Sequence, residues 1–239
     1  MPRPPSPDPP LPPGFLLQGL AGQADLPLQG LTILAVEDSR YACEALRLLC
    51  LRGGARLRRA ETLAAARDHL RLYQPDVVII DLGLPDGRGE TLIRDLLLSP
   101  RRPTVILGTS GNPDGRSLAL AAGADDFLDK PLESIASFCT ALRDHLPGLQ
   151  QAGLDDRAFT PDPLALHDDL TRAAAALTDP ANRRYATGFL LGVAHHAHDA
   201  ALVRAAIDAS TNTSSDLTNL RALLDSRLNT PTDAFADKP

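Results

Sequence analysis

The chain has 239 residues, is 44% hydrophobic and 23% charged, and carries a formal net charge of −6. That length and apolar share allow one domain of ordinary size plus a smaller unit, and the acidic balance confines any nucleic-acid-binding surface to a local patch. Cys43, Cys50 and Cys139 lack paired or metal-ligand spacing and read as small buried hydrophobes, while no run approaches the roughly 18 apolar residues of a membrane span; a cytoplasmic protein is expected.

Residues 1–30 open with MPRPPSPDPPLPP, whose prolines remove backbone donors and favour extended structure, so this stretch is expected to be a disordered tail and lead-in. From Leu31 short apolar runs alternate with amphipathic stretches. Strands are predicted at 31–36, 55–60, 76–80, 103–108 and 125–129, and helices at 40–52, 62–73, 88–98, 115–122 and 132–145. Five strand-helix units in series imply an α/β fold, a five-stranded parallel doubly wound sheet. The runs at 31, 76 and 103 are continuous rather than alternating, as strands covered on both faces should be. Residues 147–161 read as a linker of Pro, Gly, Gln and Asp, followed by a small all-α region at 162–229 and a frayed end at 230–239. Three helices are predicted there, near 163–178, 182–209 and 215–228, the first capped by Asp162 with Pro163 in its opening turn.

In an open parallel sheet, ligands bind outside the carboxyl ends of the strands. Glu37 and Asp38 close the first strand, Asp81 the third, Thr109 and Ser110 the fourth and Lys130 the fifth. Three converging carboxylates repel unless a cation sits among them, and an oxygen-only set suits Mg²⁺. A hydroxyl and an ammonium beside that ion supply what phosphoryl oxygens need during transfer, with a carboxylate as acceptor. Lys130 is notable because the 24 basic residues include only one other lysine, Lys238. A compact ammonium fits a small polar pocket that a planar guanidinium cannot enter.

On the segments AVEDS (35–39), VVIIDLGLPDGRG (77–89), VILGTSG (105–111) and GADDFLDKP (123–131), residues 31–146 resemble a receiver domain of the two-component response regulator family. The resemblance implies a flavodoxin-like fold in which Asp81 accepts a phosphoryl group from a phosphohistidine donor. It implies that Glu37, Asp38, Asp81 and the backbone carbonyl of Gly83 hold Mg²⁺, and that Thr109 and Lys130 bind the phosphoryl oxygens. Pro85 and Gly89 are expected to shape the loop after the acceptor, the Lys130–Pro131 peptide is expected to be cis, and Phe127 matches an aromatic that swings inward together with Thr109. Gly83 and Gly111 stand where family members carry side chains that tune phosphoryl lifetime, so water access is expected to be unblocked by either. Such a protein is a phospho-acceptor rather than an enzyme with a separate substrate. Its implied partners are a sensor histidine kinase or a histidine phosphotransfer protein.

The output lies in the tail or in a further protein. Residues 151–239 hold 12 Asp, no Glu and 8 Lys plus Arg, which argues against a DNA-reading output, although a transcriptional regulator stays as a weaker alternative. His195, His196 and His198 are adjacent on a helix, and His196 lies nearest the apolar stripe; a two-site relay through one of them is a second alternative, and metal binding a third. The leucine stripes of the tail suit a small bundle, a homodimer or a downstream protein partner, with phosphorylation expected to act through the face at 112–145.

Overall fold

A computed structural model of the chain describes residues 26–132, 134–147, 149, 161–210 and 214–230. The proline-rich opening, most of the expected linker and the last nine residues lie outside this set. Strands β1 (Thr32–Val36), β2 (Arg56–Ala60), β3 (Val77–Asp81), β4 (Val105–Ser110) and β5 (Asp126–Asp129) form one parallel sheet in the order β2-β1-β3-β4-β5. Helices α1 (Arg40–Gly53), α2 (Leu63–Leu72), α3 (Gly89–Leu97), α4 (Gly115–Ala122) and α5 (Ile135–Arg143) alternate with them. The predicted doubly wound sheet is therefore present, with element ends shifted by up to three residues. A two-residue hairpin, Gly83–Leu84 against Gly87–Arg88, was not foreseen.

The side-chain alternation of the central strands divides the core into two layers. Ile33, Ala35, Val77, Ile79, Val105 and Leu107 face α1 and α5, whereas Leu34, Val36, Val78, Ile80 and Ile106 face α2, α3 and α4. All of these residues are at most 1% exposed, which accounts for continuous apolar runs in place of an amphipathic alternation. The three cysteines are buried and unpaired.

Local chemistry sets the helix ends. Ser39 caps α1 by accepting from the Ala42 amide at 3.0 Å, and Gly54, with φ 81°, ends it in the left-handed region. The end of the lead-in, residues 26–30, forms a turn in which Leu28 is fully buried against Gly53 at the end of α1. Covering that apolar edge removes a leucine from water, a gain of about 2 kcal/mol.

Beyond the linker, α6 (Pro163–Ala176), a single 3₁₀ turn at Pro180–Asn182, α7 (Arg183–His196), α8 (Ala200–Ser210) and α9 (Ser214–Leu228) surround a third apolar core that includes Leu170, Leu177, Leu190, Leu202, Leu220 and Leu224. Asp162 caps α6 through the Leu164 amide at 2.9 Å, with Pro163 in the first turn. The single helix expected over 182–209 is instead two. His198 takes φ 53°, and Asp199 caps the next helix by accepting from the Leu202 amide at 3.0 Å, so that α8 folds back on α7. Asp199 also receives Arg227 Nε of α9 at 2.7 Å. Asp199→Ala removes both contacts and is expected to lower the stability of the helical region by about 1–2 kcal/mol in chemical denaturation. Among the described residues, no helix is long and apolar enough to cross a membrane.

Candidate functional site

The carboxyl ends of β1, β3, β4 and β5 converge on one polar pocket. Parallel pairing sets Thr109 beside Asp81 and Leu128 beside Thr109, so residues distant in sequence share one edge. Lys130 follows β5 through a cis peptide to Pro131, and its Nζ donates to Asp81 Oδ2 at 2.7 Å and to Glu37 Oε2 at 2.8 Å. The ammonium is 2% exposed and bridges two carboxylates carried by different strand ends. Backbone amides complete the frame: Ser39 N donates to Glu37 Oε1 and Gly83 N to Asp81 Oδ1, each at 3.0 Å.

Glu37, Asp38 and Asp81 offer ligand oxygens that all lie within 4.8 Å of one another. Burial, reinforced by the Asp81 and Asp38 charges, pushes the Glu37 carboxyl up to about 8 despite the ammonium beside it. Burial likewise raises Asp38 to about 6, although the Tyr185 hydroxyl and the Arg172 guanidinium oppose the shift. Burial alone would depress Lys130, but the carboxylates of Asp81 and Glu37 outweigh it and raise its affinity for its proton. Asp38 Oδ1 is buried with no hydrogen-bond partner. A crowded, incompletely compensated oxygen set with one bare carboxylate oxygen fits a hard divalent cation.

The remaining positions are occupied as follows. Thr109 Oγ1 is turned toward β5 and donates to Leu128 O at 2.9 Å, while Ser110 Oγ accepts from Asn112 N. Phe127 is 5% exposed, its ring in the space left by Gly108 and Gly115, with the Arg116 guanidinium 5.3 Å from the ring centre. Asp86, in the hairpin, accepts from the Leu63 and Ala64 amides at the start of α2. Gly89 lies so close to β3 that a Cβ there would stand 2.2 Å from the Asp81 carbonyl oxygen.

Sequence reasoning missed a second set of residues, contributed by the tail. Arg172 of α6 donates to the Asp38 carboxylate and to Asp38 O, and the Tyr185 hydroxyl of α7 donates to the same carboxylate oxygen. Asp169 accepts from Ser39 Oγ at 2.7 Å and from the Arg40 and Tyr41 amides at 3.1 and 3.0 Å. A Cβ on Gly111 would stand 2.8 Å from Gly192 N, and one on Gly192 would stand 3.4 Å from Lys130 Nζ. The backbone of α7 thus lies over the pocket. The tail meets the receiver-like unit chiefly at α1, the Gly83 hairpin and the Gly111 turn, whereas the expected face was 112–145, of which Lys130 lies beside Gly192; the room left by Gly111 is filled by the α7 backbone. The only sequence signal was the stripe through Tyr185 and Phe189; nothing in it indicated a polar destination.

Of the three histidines, His196 is buried and its Nδ1 is 3.2 Å from Gly192 O, which assigns the ring proton to that nitrogen and leaves Nε2 without a partner. Burial, aided by the Lys130 charge, pushes it down to about 3, so the ring is neutral. His195 is partly buried, and its affinity for a proton is lowered for the same two reasons.

Residues 33–142 match the family model of the response regulator receiver domain. The KDP operon transcriptional regulatory protein KdpE of Escherichia coli K12 is 36% identical over 147 residues, covering 60% of this chain and 61% of that protein. Transcriptional regulatory protein KdpE of Mycobacterium tuberculosis is 32% identical over 135 residues, covering 54% of this chain and 60% of its own length. The chain therefore spans less than two thirds of these relatives. Among solved structures, the CheY-like response regulator receiver domain of Methylobacillus flagellatus is 28% identical with a TM-score of 0.44, covering 48% of this chain and 98% of that one.

Proposed function

Residues 33–142 of this chain belong to the response regulator receiver family, and on that premise we propose that the protein is a phosphorelay response regulator that accepts a phosphoryl group on Asp81. One observation carries this reading: Lys130 Nζ bridges Asp81 and Glu37 in a pocket of three carboxylates. An Asp81 oxygen attacks the phosphorus of a phosphohistidine, the new O–P bond forms as the N–P bond breaks, and the imidazole leaves with the electron pair. Lys130 follows the charge as it spreads onto the phosphoryl oxygens, and Thr109 reaches them by leaving Leu128 O. Glu37, Asp38, Asp81 and the Gly83 carbonyl would hold Mg²⁺, which when bound neutralises the crowded carboxylates and the incoming phosphoryl group. The chain turns over no separate substrate; its chemistry is the gain and loss of that one group.

The donor is read as a sensor histidine kinase or a histidine phosphotransfer protein, and the site of action as the cytoplasm. The curated relatives are named transcriptional regulators, and here such an output is read as one reached through a downstream protein or a second copy, because the tail is acidic. The test is labelling of the full chain with a small acyl phosphate. One phosphoryl group should be incorporated, map to Asp81 and disappear on chelation of divalent cations; a label that maps elsewhere, or that survives chelation, sinks the assignment.

A second reading, the two-site relay, is favoured by the buried, partnerless Nε2 of His196, which stands one turn beyond Gly192 on the helix that passes beside Lys130. In it the phosphoryl group moves from Asp81 to Nε2. Phosphoramidates resist alkali whereas acyl phosphates do not, so an alkali-stable fraction of the label, absent from His196→Gln, is the expected sign. A label that is wholly alkali-labile removes this reading.

A further inference from the structure

The α6–α7 hairpin meets the acidic pocket through groups that are more than packing. Arg172 places a guanidinium on Asp38, one of the three carboxylates that form the candidate cation site, and Tyr185 takes up the same oxygen. The guanidinium is held in place by the Phe189 ring, 4.6 Å below it, and by the Tyr185 hydroxyl. One helical turn away, Asp169 is 1% exposed and closes the start of α1 with three hydrogen bonds, next to the Glu37–Asp38 pair itself. Farther along α7, Gly192 lies on Gly111 and beside Lys130. Two glycines therefore meet where side chains would hold the backbones apart. The acceptor Asp81 is left with a side chain only 13% exposed.

These contacts use the same atoms that the phosphorylation chemistry needs. A guanidinium on Asp38 Oδ2 supplies part of the positive charge that a divalent cation would otherwise bring, and a cation on the bare Oδ1 of the same carboxylate would be repelled by it at short range. A donor imidazole must also approach Asp81 from outside the sheet, through the space that α7 covers. Building on the acceptor reading above, we propose that the α6–α7 hairpin is an intramolecular ligand of the acceptor pocket, with Arg172 as its charged group, competing with the divalent cation for Asp38 and with the phosphodonor for Asp81. Linkage makes the effect reciprocal: whatever loads the pocket releases the hairpin, and whatever captures the released hairpin favours loading. The surface exposed on release includes Tyr185, Phe189 and the α1 start, so a switched interaction and the switched chemistry share one device.

The test uses the full chain and Mn²⁺ as a paramagnetic probe, with initial rates of labelling from an acyl phosphate as a second readout. Arg172→Ala and Asp169→Ala should each bind Mn²⁺ about tenfold tighter than the wild type and label faster by a similar factor. The Asp169 variant separates release from simple electrostatics. Losing a negative charge beside the pocket would by itself weaken cation binding, so tighter binding there reports an opened hairpin. Amide exchange in 163–196 of the wild type should also accelerate when Mn²⁺ and beryllofluoride are added together, a readout that needs no substitution. If the two variants bind Mn²⁺ and label no better than the wild type, and the exchange of 163–196 is unmoved, the hairpin is a static partner and the proposal is wrong while the acceptor reading stands. If neither the wild type nor either variant binds Mn²⁺ or takes label on Asp81, the acceptor reading fails and this inference falls with it.

Discussion

Lys130→Arg is expected to lower the rate of phosphorylation by about a hundredfold, a loss of the size seen when one positioned charge or donor is removed from a transfer site. The charge is retained, so the effect has to come from shape. The ammonium reaches Asp81 Oδ2 and Glu37 Oε2 at 2.7 and 2.8 Å, is 2% exposed, and has the α7 backbone at Gly192 close to its tip. A guanidinium is wider than that space and needs planar partners; it would displace either Asp81 from its bond to Gly83 N or α7 from the pocket. Labelling from an acyl phosphate with Mg²⁺ measures the loss. An arginine variant that labels at the wild-type rate would show that the pocket selects charge alone.

Gly89→Ala is expected to destabilise the protein by about 3 kcal/mol, the upper range for forcing atoms into a filled site. The added carbon would lie 2.2 Å from the Asp81 carbonyl oxygen and 2.9 Å from Ile80 Cγ2, and backbone cannot turn away as a flexible side chain can. Relief requires moving either the start of α3 or the end of β3, and the latter carries Asp81, the proposed acceptor. Denaturant unfolding should show the loss, and the variant's labelling rate should fall as well. A change below about 1 kcal/mol would mean that the loop adapts at little cost.

Much of the first unit was open to sequence reading because its determinants are local and periodic. The runs at Ile33, Val77 and Val105 are apolar throughout since helices cover both faces of their strands, and α1 is bounded by the side-chain cap of Ser39 at its start and by a glycine in the left-handed region at its end. The pocket residues were accessible for a related reason: parallel strands deliver their carboxyl ends to one edge, so Glu37, Asp38, Asp81, Thr109 and Lys130 meet there once the strands are assigned. The break between α7 and α8 was not accessible, because His198 and Asp199 lack the glycine or proline that usually signals a helix end, and the left-handed turn is held by the capping bond and Arg227.

What the sequence by itself determined is the sheet, its helices and the convergence of the acidic cluster with Lys130, since hydrophobic period, cap chemistry and strand polarity are properties of short segments. What only the tertiary structure decided is where the tail goes. Asp169, Arg172 and Tyr185 are separated from Ser39, Asp38 and Asp38 by roughly 130 to 150 positions, across a linker whose composition carries no direction, and an arginine on a helix face looks the same whether it meets water or a buried carboxylate. The choice follows from charge and shape complementarity between two folded surfaces: an uncompensated Asp38 attracts Arg172, and Gly111 and Gly192 let the backbones close over it.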